Sequence, residues 1–214
     1  PLHMKNFRAN FKNLEQDNVF VHSSIQPLSD LTGIESRRGL EHVILSEGKI
    51  VNVVSKTYGH LPNENFFVEV ERQLIEADIN YSTRSINREN RSFAVDYILN
   101  DENFHVQIKN GLDSLKPMLR FTNSYDGSTR TSGNFGFFRQ VCSNGLHVGE
   151  TWIGFSVKHK GNIASVVIPE ISKIIAKFMD NEFYTLKRKF EVLAEKPITN
   201  LSEFVEYVSK ENGV

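Results

Sequence analysis

Arg120, Arg130 and Arg139 lie between Leu119 and Gly149, interleaved with Phe121, Tyr125, Phe135, Phe137 and Phe138. Guanidinium groups pair with phosphate oxygens and aromatic faces stack on bases, so these two kinds of residue alternating on strands suit a nucleic-acid surface. Between Phe104 and Lys160 the cations Lys109, Lys116, Arg120, Arg130, Arg139, Lys158 and Lys160 stand against Asp113, Asp126 and Glu150, a local charge of +4. Arg84, Arg88 and Arg91, in YSTRSINRENRS, add a second basic stretch that Glu89 dilutes. The residues expected to contact nucleic acid are Arg84, Arg88, Arg120, Phe121, Arg130, Phe137, Arg139 and Lys158. A competing reading needs no ligand: period-two alternation sends aromatics into a core and cations into solvent.

Other chemistry has less to stand on. Asp126, Asn144, His147 and His105 could gather at one end of a sheet to bind a metal or nucleotide or to act as a small enzyme, but their spacing matches no metal signature. Tyr125-Asp126-Gly127 also serves a mechanical role, since Asp accepts backbone N–H bonds and Gly supplies positive φ. Ser132-Gly133-Asn134-Phe135-Gly136 lacks the Lys-Ser/Thr ending and following helix of a phosphate loop. With no Gly-x-Ser-x-Gly elbow, no HExxH and no CxxC pair, no catalytic residue, metal or cofactor is assigned.

The bulk properties bound the setting. The chain has 214 residues, 39% hydrophobic and 24% charged, enough to bury a core without disulfides. Its formal charge of −1 requires any nucleic-acid footprint to be local. The lone Cys142 excludes an intrachain disulfide and fits a reducing cytosol. No membrane span and no signal peptide are seen, so a cytoplasmic location is expected, the host's own if a phage encodes the chain. Pro1-Leu2-His3, ahead of Met4, is set aside as an appended stretch.

The elements that must position these residues follow from periodicity. Residues 4–39 read as an irregular N-terminal arm of a single domain spanning 4–214. His42 to Leu45 and Lys49 to Lys56 flank a Ser46-Glu47-Gly48 turn. Phe67, Val70, Leu74 and Ala77 predict a helix over 63–78. Strands are predicted at Tyr81–Asn87, Ser92–Asn100, Asn103–Lys109, Met118–Tyr125, Gly133–Cys142 and Thr151–His159. Pro169 opens a helix over 169–194 with Ile171, Ile175, Met179, Phe183, Leu186, Phe190 and Leu193 on one stripe, and a short helix runs from Thr199 to near Lys210. The fold class is α+β: a predominantly antiparallel twisted sheet with two main packed helices and a short C-terminal helix.

The words YDG, FFRQVCSNGL and IVNVVSKTYGHLPNENFFVEVERQL resemble the phage/plasmid-like protein family, prokaryotic and bacteriophage proteins of unknown function, over roughly residues 40 to 190. The resemblance implies a phage or mobile-element setting and carries no catalytic roles. Joined to the basic-aromatic strands, it leads to the expectation of a noncatalytic protein that binds nucleic acid, single strands above all, in replication or recombination. A homo-oligomer is a further expected partner, by fold-level analogy with ring-forming single-strand annealing proteins. The alternatives are an interaction or antidefence protein that sequesters a host protein or signalling nucleotide, and a small enzyme using Asp126 and the histidines.

Overall fold

A computed structural model of the chain describes residues 19–36, 39–108, 113–139 and 154–195. It opens with β1 (Ser23–Pro27), a one-turn helix α1 (Leu28–Thr32) and the hairpin β2 (His42–Ser46) and β3 (Lys49–Val54). Helix α2 (Asn63–Glu76) leads into β4 (Tyr81–Arg88), β5 (Ser92–Leu99), a 3₁₀ turn at Glu102–Phe104, β6 (Val106–Ile108), β7 (Asp113–Ser124), β8 (Thr131–Arg139) and β9 (Gly154–Val157). Helices α3 (Ile163–Phe178) and α4 (Asn181–Glu195) follow. All strand pairs are antiparallel, and the architecture is α+β.

The strands divide into two sheets where the sequence predicts one. β1-β2-β3 is complete in itself, and β4-β5-β7-β8-β9 forms the second, with β6 also paired to β7. The 14-residue α2 separates β3 from β4, so the early hairpin pairs with the segment before it instead of joining the later meander. Part of the supposedly irregular arm is thereby ordered as β1 and α1. The last residues of the strand predicted to Cys142 and the predicted 199–210 helix lie outside the described residues.

The helix predicted over 169–194 is two helices. α3 begins six residues before Pro169, where the Asn162 side chain accepts from the Ser165 N–H at 3.4 Å, a local start signal that outranked the proline. The chain breaks again at Met179-Asp180. In an unbroken helix Phe178 and Phe183 would point about 140° apart. The break brings their rings to 5.0 Å, against Phe104 and Phe135.

Alternation assigns the two faces of the large sheet. Phe93, Val95, Tyr97 and Leu99 of β5, Leu119 and Phe121 of β7, and Phe135 and Phe137 of β8 join the core with Phe66, Phe67, Val70 and Leu74 of α2 and Ile163, Val167, Ile171 and Ile174 of α3. Gly133 is needed within this face, because a Cβ there would stand 2.6 Å from the Phe155 ring and 2.7 Å from that of Phe121. On the other face, cross-strand register aligns Arg84, Asp96, Arg120, Asn134 and Gly154 in one row.

Candidate functional site

One end of the large sheet is built by a buried polar clip. Asn123, one step past Phe121 on the core face, donates to the Leu61 carbonyl at 2.8 Å and to Asn63 Oδ1 at 2.9 Å, and accepts from Thr131 Oγ1 at 2.9 Å. Asn63 donates from its side chain to the Val19 carbonyl and from its backbone N–H to the Tyr125 hydroxyl. That hydroxyl in turn donates to the Val21 carbonyl at 3.2 Å. Asn63, Asn123 and Thr131 are each fully buried and each satisfied, which makes the clip a fixed joint. It ties the start of α2 and the residues before β1 to the β7–β8 hairpin.

Four segments converge on this end. The 55–62 loop is laced to the segment after β9 by the Gly161 N–H donating to the Thr57 carbonyl at 2.9 Å and by His159 Nδ1 lying 3.2 Å from the Gly59 carbonyl. Gly59 allows the approach, since a Cβ there would stand 2.6 Å from the Gly161 carbonyl oxygen. The β4–β5 turn joins through the Tyr125 N–H, which donates to the Arg91 carbonyl at 2.7 Å. In the β7–β8 hairpin Asp126 Oδ1 accepts from the Ser128 N–H at 2.9 Å and Gly127 has φ of 76°, the mechanical arrangement that YDG predicts.

These loops present Lys56, Arg88, Arg91, Arg130, Lys158 and Lys160, all exposed and none in an ion pair among the described residues. The same loops hold two carboxylates, Glu89 and Asp126. Between the cations, the Tyr58 and His159 rings stack in parallel, with centroids 5.2 Å apart and planes 2° from coplanar. His60 lies beside them, its Nε2 3.0 Å from Ser23 Oγ. Burial, then neighbouring His159, pushes the His60 pKa down to about 4, and burial lowers that of His159 as well, so both rings are neutral at pH 7. Burial, then the Asp126 charge, pushes the Tyr58 hydroxyl up to about 12. The site therefore offers fixed positive charge and neutral rings.

The predicted contact residues are distributed as follows. Arg88, Arg130 and Lys158 stand at this end. Arg84 and Arg120 lie further along the outer face and share Asp96: Arg84 Nη2 at 2.8 Å from Oδ2, Arg120 Nε at 2.6 Å from Oδ1. The Asp96 side chain is 1% exposed, against 36% and 23% for the two arginines. Burial alone would raise the Asp96 carboxyl, but hydrogen bonds from Arg120 and Arg84 hold it below the ordinary range. Phe121 and Phe137 are fully buried among core rings, where no base reaches them. Arg139 ends β8 opposite Leu115, and its side chain lies outside the described residues. His105 sits at the far end of the sheet, its Nε2 3.3 Å from the Leu99 carbonyl, so it does not join Asp126; Asn144 and His147 lie outside the described residues. Among the described residues no group of three or more His, Cys, Asp or Glu could hold a metal ion.

The sequence reading missed Asp96, Tyr58, His60 and His159. Asp96 was detectable as the one charge inside the apolar strand SFAVDYIL, directly across from Arg84 and Arg120. Tyr58 and His60 stand in the YGHLP word, but their meeting with His159 depends on a loop distant in sequence that no local pattern announces.

Fold and site together define an antiparallel α+β domain with a cation-rimmed sheet end. The chain belongs to the family described as a domain of unknown function, DUF932, which matches residues 50–211. Two Escherichia coli K12 proteins, the UPF0380 proteins YfjQ and YafZ, are each 37% identical to it over 62 residues, 29% of this chain and 23% of theirs. The match thus spans under a quarter of the length of these relatives. No solved structure matches the chain. No helix among the described residues is long and apolar enough to cross a membrane.

Proposed function

We propose that this chain is a noncatalytic nucleic-acid-binding protein of a phage or other mobile element, holding single strands during replication or recombination. The observation that carries the reading is the set of six exposed cations that four loops bring to one end of the sheet. Adjacent strands lie about 4.8 Å apart, so the row from the β4 turn to the end of β9 extends roughly 19 Å, the reach of several phosphates. With Phe121 and Phe137 in the core, stacking falls to Tyr58 and His159, the ring pair among those cations. The mobile-element setting is supported by the likeness of the YDG and YGHLP words to the phage/plasmid-like family.

The test is binding of a fluorescent oligothymidylate across a salt series. Counterion release should give a log–log slope of about −0.7 per phosphate contacted. The double variant Arg130→Ala/Lys158→Ala should flatten that slope by roughly one to one and a half units, while Lys173→Ala leaves it unchanged. Tyr58→Ala should weaken binding by about 1–3 kcal/mol with the slope intact. No binding by the unaltered protein at low salt, or a slope untouched by the double variant, would sink the reading.

A further inference from the structure

Glu71 lies on the core face of α2 and is fully buried, with no cation paired to its carboxyl among the described residues; the Tyr81 hydroxyl is the donor that faces it, at a geometry short of a full hydrogen bond. The hydroxyl of Tyr97, on β5, is buried and has no hydrogen-bond partner. Tyr81, on β4, meets the Tyr97 ring edge-on at 5.4 Å. These two phenols are the titratable groups that face Glu71 from the sheet. The residues α3 buries are Ile163, Val167, Ile171, Ile174, Ile175 and Phe178, none of them charged. An ionised carboxylate in this setting is an uncompensated buried charge, whereas the protonated acid is only an unsatisfied polar group.

We propose that Glu71 is a proton latch between α2 and the large sheet: protonated, it lets the helix seat fully, and on ionising it loosens the helix together with the 55–62 loop that leads into it. Asn63, the first residue of α2, is the anchor for that loop through its bonds to Val19 and Tyr125, so movement of the helix reaches Lys56, Tyr58 and His60. Burial, offset in part by the Tyr81 hydroxyl, pushes the Glu71 carboxyl up to about 7, and Tyr97 is raised well above its ordinary value by burial and then by Glu71. The folded acid therefore holds its proton through an interval in which the unfolded or opened chain has lost it. The latch weakens as pH rises from the ordinary Glu range toward 7 and is fully released above that. It stands independently of the nucleic-acid reading.

Amide hydrogen exchange of α2, corrected for intrinsic rates, tests this across about pH 5 to 8. Protection of the 63–76 amides should fall by up to about tenfold per pH unit below 7 and level off above it, and Glu71→Gln should abolish the dependence. A pH-independent wild type, or an equal slope in the variant, overturns the latch. Infrared spectroscopy needs no variant to fold: a buried protonated-acid carbonyl band should be present near pH 5.5 and gone by pH 8. Absence of that band at pH 5.5, or its persistence at pH 8, overturns it as well.

Discussion

Asn123 joins the start of α2 to the β7–β8 hairpin. Its amide closes three bonds to Leu61, Asn63 and Thr131 in a fully buried joint. Asn123→Ala removes one partner from each group and leaves them unsatisfied away from water. We expect a loss of about 2–4 kcal/mol, read from urea unfolding, since the penalty is desolvation of the abandoned groups and not the modest net worth of a bond. An unchanged midpoint would show that water replaces the amide. In the sequence Asn123 falls inside the strand expected over Met118–Tyr125, just ahead of the Asp126-Gly127 turn. Its parity with Phe121 places it inward; what no local pattern supplies is the identity of its distant partners, Leu61 and Asn63, at the start of α2.

At the level of elements, the rings that close the far end of the core depend on the break between α3 and α4. Phe183 is fully buried and meets Phe104, Phe135, Phe178 and Tyr184. Phe183→Ala should cost about 3–5 kcal/mol in thermal or denaturant unfolding, and unchanged stability would reject this packing. The stripe Ile171, Ile175, Phe183 was legible from helical spacing, and all three are buried. Met179, read as part of the same stripe, is 57% exposed because it occupies the break. Periodicity registers which residues are apolar but is blind to a two-residue interruption that preserves the pattern on both sides. Strand alternation was more reliable: the hairpins at Ser46-Gly48 and Asp126-Ser128 were visible because their turn residues announce them, while the division into two sheets was hidden because it turns on how far α2 displaces the chain.

Across the whole molecule, the small sheet shares the core of the large one through Ile44 and Val54, and long-range polar contacts line the seam: His60 with Ser23, Tyr125 with Val21, and Ser46 Oγ donating to the Asn90 carbonyl at 2.6 Å. His60 makes this seam sensitive to acid. Its pKa is pushed down to about 4 from the ordinary 6.5, so the folded state binds fewer protons than the unfolded between those values. The stability it lends is present above 6.5 and is lost as pH falls toward 4, by about 2 kcal/mol after allowance for partial solvent screening. Melting temperatures at pH 7 and 5 should drop more for the wild type than for His60→Gln; equal drops would place the acid sensitivity elsewhere. Glu71 acts in the opposite sense over much of that interval, which is why the comparison between variants, and not the bare pH profile, isolates the histidine.

The cations of the large sheet have a colloidal consequence. Among the described residues β4 and β9 stand at the two ends of the large sheet's strand order, each with an edge onto which a foreign strand could be added. β4 carries Arg84 and Arg88 along its eight residues, and β9 is four residues long with Lys158 directly after it. Pairing a second β4 against the first would bring like charges together at that edge, and Lys158 sets a further cation beside the edge at β9. Arg88 and Lys158, part of the rim at one end of the sheet, thereby also oppose its growth into an aggregate.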